Sequence, residues 1–465
     1  MDLGGVCAMV FRVDSLLIMC CKKTRSLAIV TVPLVICITP LYFHESACGQ
    51  DRVVEKRDEN AVTTSREKID STTLLGKVMC GYQGWFNCEG DRSNLGWTHW
   101  ARDGRRKMGP GNATVDLWPD VSELPMDSRY PTGFHHADGR AGEVFSSADP
   151  EVVAMHFRWM QEYGIDGVFL QRFANGLDRG RLQQHKDQVL SHVRSQASLR
   201  GRVFSVMYDL SGLRGGQTKR VLDDWRQLKE QGLQQDKSYL HHRGKPLVAV
   251  WGIGFNDGRR YTLQECLQLV KSLKAEGCCV MIGVPSWWRE GKRDATEDPL
   301  LREIAQQVDV ISPWSIGRYQ TPDQALRHAA EVWENDLKWC ESRKVDFLPV
   351  AFPGFSWHQL KGGDLDMIPR RGGDFLWSQV YGANRAGCRM LYIAMFDEVD
   401  EGTAIFKCDP NPPISETEKF LSLSETPSDH YLRVVGEASR GIRGEISVER
   451  KMPPSLSASR SSATK

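Results

Sequence analysis

Along residues 72–448, short apolar runs alternate with stretches of helical period. The runs at 77–82, 167–170, 203–208, 247–251, 279–284, 308–311, 347–351 and 390–395 are rich in Val, Ile, Leu and Phe, without alternation of polar residues. Parallel strands buried on both faces have this composition. Between them, apolar side chains recur three and four apart, as in Val152, Met155, Trp159, Met160 and Tyr163, or Leu326, Ala329, Trp333, Leu337 and Cys340. That spacing predicts helices with one buried face. Asp149-Pro150, Asp298-Pro299 and Thr321-Pro322 each offer an N-cap oxygen followed by a proline suited to the first helical position. Gly164, Gly277 and Gly387 stand where a left-handed residue turns a helix toward the next strand.

Strands and helices in such alternation predict an α/β chain folded as a (β/α)8 TIM-type barrel rather than an open doubly wound sheet. Gly81-Tyr82-Gln83-Gly84, after the first strand, lacks the spacing of a phosphate-binding loop. The connection from Tyr82 to Asp149 is too long for a plain strand-to-helix loop. Connections of that length usually carry function, and in a barrel this one lies on the C-terminal face, where active sites form. The segment after Asp409, including Tyr431 to Val448, is expected to add a strand pair or to close the barrel base.

The two ends have another character. Lys22, Lys23 and Arg25 precede an apolar run at 27–43 that contains Pro33 and Pro40, and the small residues Ser46, Ala47 and Gly49 follow. This is the order of an export signal, and the prolines make the run a poor membrane-spanning helix. Residues 1–49 are therefore expected to form a signal peptide or a membrane-anchoring leader. The protein would then be exported, periplasmic or extracellular, with a membrane tether as the variant form. The polar stretch 50–71 predicts a linker, residues 72–448 the barrel, and the low-complexity segment 449–465 a disordered tail.

Composition narrows the partners. The 465 residues carry 60 Lys and Arg against 59 Asp and Glu, a formal net charge of +1, which argues against a nucleic-acid partner. A monomer is expected. The cysteines form no CxxC pair and no Cys/His zinc spacing, so no metal is assigned through them. Cys80 and Cys88 are a candidate disulfide in an exported chain.

The residues just past each predicted strand carry the chemistry. Tyr82 and Trp85 follow the first strand, whose long loop continues through Trp97, His99 and Trp100. Arg172, Asp209, Trp251 and Trp314 follow later strands, and Trp85, Trp251, Trp287, Trp288, Trp314 and Trp357 together place six of the 14 tryptophans at one rim. Indole faces stack on the C–H faces of sugar rings, while sugar hydroxyls require carboxylates and other polar groups. After the eighth strand come Asp397, Glu398, Asp400 and Glu401. Glycoside cleavage needs one carboxyl as acid and a second as base or nucleophile, and crowding separates their proton affinities. Glu398 and Glu401, three apart, can share one pocket. His135, His136 and Asp138 leave a metal-dependent hydrolase open as an alternative, and a carbohydrate-binding barrel without catalysis is the other.

The segment Met395-Phe396-Asp397-Glu398-Val399-Asp400-Glu401-Gly402-Thr403 resembles the Trp-Asn-Glu-Trp-His-Glu-Gly-Thr segment of glycoside hydrolase family 99, the endo-α-mannosidases and endomannanases. Gly76 to Phe86 and Pro427 to Arg433 look like the broader bacterial 71/99-like group, sometimes labelled xylosidase/arabinosidase. The resemblance implies a barrel that hydrolyses an oligo- or polysaccharide, possessing no cofactor. It implies a retaining route through a 1,2-anhydro sugar, with Glu398 as the base on the 2-hydroxyl and Glu401 as general acid and then base. Asp397 replaces the family's Asn and Asp400 its His. The added charges are expected to raise the pKa of the acid and to alter contacts with substrate, which leaves Asp397 and Asp400 as candidate substrate-binding residues beside Tyr82, Trp85, Arg172, Asp209, Trp251 and Trp314.

Overall fold

The computed structural model describes residues 68–456. The leader 1–49, most of the linker and the last residues of the tail lie outside them. Twelve strands are formed among the described residues: β1 Val78–Tyr82, β2 Tyr130–His135, β3 Ala141–Val144, β4 Gly167–Phe173, β5 Val203–Asp209, β6 His241–His242, β7 Lys245–Trp251, β8 Cys279–Pro285, β9 Val310–Trp314, β10 Asp346–Phe347, β11 Val350–Ala351 and β12 Leu391–Ile393. Parallel pairing runs in the order β10-β9-β8-β7-β5-β4-β1-β12-β11. The predicted seventh strand is split: β10 pairs with β9, and β11 pairs with β12. Pro349, between the halves, has no N–H to donate; its carbonyl accepts from Tyr392 N at 3.0 Å. Continuity of the chain through this break completes the ring, a (β/α)8 barrel as the apolar pattern predicts.

The helices that cover the ring include α1 Pro150–Tyr163, α2 Gly180–Arg200, α3 Lys219–Glu230, α4 Leu263–Ala275, α5 Leu300–Ala305, α6 Pro322–His328, α7 Glu334–Glu341, α8 His358–Lys361, α9 Asp374–Ala386 and α10 His430–Ile442. Asp149-Pro150 and Thr321-Pro322 cap α1 and α6 as expected, whereas α5 begins at Leu300, with Pro299 in the cap position and Asp298 Oδ1 accepting from Leu300 N. Asp149 accepts from Glu151 N ahead of Pro150, and Gly164 ends α1 in the left-handed region at φ 74°. The periodic stretch 326–340 is α6 and α7 joined by a π-helical turn, Ala329–Trp333.

The C-terminal segment corrects the expectation of a strand pair. Tyr431, Leu432, Val434, Val435 and Ala438 are buried on α10, which packs on α1, α9 and β1 as the helix after the last barrel strand. Small side chains permit the approach: a Cβ on Gly436 would lie 2.1 Å from the Tyr163 carbonyl oxygen. Arg443, just beyond α10, donates to Asp166 at the base, and Asp166 also accepts from Val78 N. At the two ends, Ile69 N bonds Gly201 O and Trp377 Nε1 donates to Glu449 O, so residues from the predicted linker and tail join the folded body. Cys80 and Cys88 are both free and buried, and Cys88 Sγ donates to the Phe145 carbonyl instead of forming a disulfide. No helix among the described residues is long and apolar enough to cross a membrane.

The long connection after β1 folds into a layer over the C-terminal face. Phe86, Trp100, Phe145, Trp118 and Phe134 build its small core, and the β2–β3 hairpin closes it. Asp116 fastens this layer to the strand-end loops: its carboxylate accepts from His358 N and Gln359 N, and its own N–H reaches Val399 O.

Candidate active site

The turn after β12 brings Asp397, Glu398, Asp400 and Glu401 to the C-terminal mouth. Gly402 shapes it, with φ 63° and no room for a side chain, since a Cβ there would sit 2.9 Å from Ser356 N. Arg370 holds it from outside the pocket, donating through Nη2 to Gly402 O (2.8 Å) and Ala404 O (2.6 Å). Thr403 N and Ala404 N both reach back to Glu398 O. The position of both glutamates is therefore fixed by backbone and not by loose side-chain packing.

Glu398 is buried, with Oε1 accepting from Gln83 Nε2 at 2.8 Å and Oε2 from Thr403 Oγ1 at 3.1 Å. Burial, then the charge of Glu401, pushes its carboxyl well above the ordinary range. Glu401 is partly exposed to the mouth. Loss of water around it, followed by the charge of Asp400, pushes it from 4.5 up to about 8, with the Trp357 indole pulling the other way. The two glutamates thus feel one another inside a single pocket. The charge of Asp209 also reaches Glu401, and that of Glu398 reaches Tyr392 beneath it.

The remaining candidates divide. Asp209, at the end of β5, accepts from Ser211 N and lies close enough to bias Glu401. Trp251 and Trp314 meet edge to face, ring centroids 5.3 Å apart, on the half-buried wall above Tyr392. Trp357 stands beside Glu401. These residues are brought together. Asp397 is wholly buried, pushed up to about 7 chiefly by burial, and gives both oxygens to backbone: Oδ1 accepts from Gln83 N and Oδ2 from Gly84 N. It clamps the end of β1 to the acidic turn rather than meeting solvent. Asp400 is also buried, and its Oδ2 lies 3.0 Å from His99 Nδ1.

Tyr82 and Arg172 point the wrong way for substrate. Tyr82 is fully buried, its hydroxyl 2.9 Å from His156 Nδ1 on α1. Arg172 is fully buried against the helices, bonded to Asp224 of α3 and Asp187 of α2. Neighbouring residues on a strand face opposite sides, so Gln171 is the one inside, donating to the Tyr392 hydroxyl at 3.2 Å. Trp85 is near the mouth but sandwiched: His99 stacks on one side, centroids 3.8 Å apart and planes at 6°, and Phe173 lies 5.2 Å away at 30°. Trp288 is buried with its Nε1 on Asp336 of α7, and Trp287 lies against His328 of α6. Of the six rim tryptophans, Trp357 stands at Glu401, and Trp251 and Trp314 pack beside Tyr392, which feels the charge of Glu398.

Gln83, His99, Gln171 and Thr403 are therefore site residues that were not singled out from sequence. Strand parity replaces Arg172 by Gln171 once one inward-facing residue is known; nothing local announces His99. Neither histidine of the proposed metal alternative comes to the acidic turn: His136 Nδ1 lies 3.0 Å from the Asn411 carbonyl, and His135 is exposed on the hairpin. No group of three or more His, Cys, Asp or Glu among the described residues is arranged to hold a metal ion.

Comparison with known proteins places the fold. No protein-family model and no curated protein matches the chain. Among solved structures, the GH99 endo-α-mannosidase from Bacteroides thetaiotaomicron in complex with Bis-Tris propane superposes with a TM-score of 0.59 at 15% identity, covering 80% of this chain and 99% of that one. A second structure of the GH99 endo-α-mannosidase from Bacteroides thetaiotaomicron gives 0.58 with the same identity and coverage. The chain shares their fold. The likeness expected from the acidic turn thus extends over nearly the whole length of those enzymes, and it is a likeness of architecture.

Proposed function

We propose that this barrel is a glycoside hydrolase that cleaves a glycosidic bond in a neutral glycan, α-mannan-like, with Glu398 and Glu401 as the catalytic pair. The observation that carries this reading is the pair itself: a buried Glu398 and a partly exposed Glu401 from one turn at the barrel mouth, with burial and the charge of Glu401 raising Glu398, and Glu401 itself pushed up to about 8. A carboxyl that keeps its proton at neutral pH can act as the acid for a leaving oxygen. Gln83 and Thr403 donate to Glu398, and the Thr403 bond opposes the upward push of burial and of the Glu401 charge; with the shared proton on Glu401, Glu398 is the base of the pair. On the route implied by the family 99 resemblance, Glu398 takes the proton of the 2-hydroxyl as that oxygen closes on the anomeric carbon. Glu401 gives its proton to the departing oxygen, then takes one from the water that opens the anhydro ring.

The surroundings agree with a neutral substrate. Asp209 and Asp400 add negative charge beside the pair, which opposes anionic sugars. Trp251, Trp314 and Trp357 offer indole surface to the apolar faces of a sugar. Export through the leader, with or without a tether, and a monomeric state belong to the same proposal; N-terminal sequencing and fractionation of the natural protein would test the first.

The decisive experiment is a panel of neutral oligosaccharides, α-mannans included, hydrolysed by wild type, Glu398→Gln and Glu401→Gln. Each substitution is expected to lower turnover roughly 10²–10⁴-fold. Unchanged turnover in Glu401→Gln removes it as the acid and the hydrolase reading with it.

A further inference from the structure

His99 has no part in the proton transfers assigned to the glutamates, yet its ring is fixed from three sides. Trp85 lies flat against it at 3.8 Å, and Asp400 Oδ2 sits 3.0 Å from Nδ1. The backbone is held in the left-handed region at φ 62°, with the His99 carbonyl accepting the Thr114 hydroxyl. A third of the side chain remains open at the mouth, while the side chain of Asp400 is 2% exposed. Such immobilisation costs rotamer freedom that packing alone does not need at an open rim.

The sandwich also settles what Trp85 can do. With His99 on one face and Phe173 on the other, neither indole face is free for a sugar. Trp85 is a backing plate, and the imidazole in front of it is the group presented to the pocket. With the Asp400 carboxylate accepting from Nδ1–H, the tautomer of a neutral ring is set, and Nε2 carries the lone pair. No hydrogen bond from the described residues reaches Nε2. Asp400 in turn adjoins both glutamates in the turn, so an acceptor fixed to Asp400 is fixed relative to the reacting bond.

We propose that His99 is a specificity-determining residue that contacts the substrate, its Nε2 accepting one hydroxyl of the sugar held against Glu398 and Glu401. This rests on the hydrolase reading above. The resembled motif carries its histidine inside the turn, at the position of Asp400; here the imidazole arrives from the first loop, 301 residues away, and Asp400 orients it.

Two isosteric substitutions separate contact from support. Asn places its amide where Nδ1 was and keeps the bond to Asp400; Gln reaches to the position of Nε2. Calorimetric binding of the oligosaccharide panel is measured in a Glu401→Gln background, where turnover is slow, alongside kcat and KM in the otherwise native enzyme. His99→Ala and His99→Asn are expected to weaken binding and raise KM about tenfold, the worth of one hydrogen bond, with kcat changed less; His99→Gln is expected to recover most of the loss. Wild-type binding in His99→Asn, with loss only in His99→Ala and His99→Gln, overturns the proposal and leaves His99 as a support for Asp400. If all three variants lose binding alike, ¹⁵N spectra of histidine-labelled protein decide: a His99 Nε2 resonance unmoved by saturating glycan overturns the contact, and a shifted one sustains it. No glycan bound by any form overturns the hydrolase reading itself, a result distinct from the other two.

Discussion

The glutamate that carries the acid role should make the protein less stable, and the penalty should depend on pH in a definite direction. Glu401 moves from an ordinary 4.5 to about 8 because folding strips water from it and sets it beside Asp400. Below about pH 4.5 the carboxyl is protonated in both folded and unfolded chains and the penalty vanishes. As pH rises from there toward 8, the unfolded chain gives up its proton while the folded chain retains it, so stability falls with pH. At about 1.4 kcal/mol for each pH unit, the full displacement corresponds to ~4–5 kcal/mol above pH 8. Glu398 shares the pocket and one proton serves both, so a net figure of ~2 kcal/mol is the reasonable expectation for neutralising Glu401 alone. In a body of this size that is ~2–4 °C in Tm. Thermal melts of wild type and Glu401→Gln at pH 5.5 and 8.5 check it. The variant should melt higher at pH 8.5, and the gap should shrink to ~1 °C or less at pH 5.5. A variant that melts lower than wild type, or a gap that does not grow with pH, would refute the claim that burial holds this carboxyl protonated.

Three further outcomes follow from the same geometry. The rate of the free enzyme should fall on the alkaline side near pH 8 as Glu401 loses its proton, a limb measured as log kcat/KM against pH and absent in Glu401→Gln. Arg172→Ala should destabilise the fold by ~3–5 kcal/mol, because it strands Asp224 in the barrel wall, yet leave KM near wild type in the molecules that remain folded; urea unfolding and steady-state kinetics read the two separately. Gly402→Ala should cost ~1–3 kcal/mol and lower kcat strongly, since a side chain there strains the backbone and presses on Ser356 beside the acid; a melt and a single kinetic run suffice.

The two departures from the resembled motif have structural partners. Two backbone N–H groups, of Gln83 and Gly84, point at position 397, and an aspartate supplies two accepting oxygens where an asparagine supplies one. At position 400 an acid stands opposite His99. The charge at 400 also reaches both glutamates and raises them, as the sequence led us to expect.

By itself, the sequence determined where most of the parallel strands lie and which turn carries the acids; the break in the seventh strand, the β2–β3 hairpin and the helical form of α10 came only with the fold. Strands buried on both faces must be apolar throughout, so they stand out in any polar background, and Glu398 and Glu401 are close in space because they are close along the chain. The same property hid the directions. A run without alternation shows no polar period of two; strand parity separates Gln171 from Arg172 only once one inward-facing residue is known, and the fold supplies it. Tertiary structure alone decided that Trp85 and Trp288 are walled in, while Trp357 stands beside Glu401 and Trp251 and Trp314 pack together next to Tyr392. It alone carried His99 to Asp400, because closing the ring brings the first strand beside the last, and with it the loop that follows the first to the turn that follows the last.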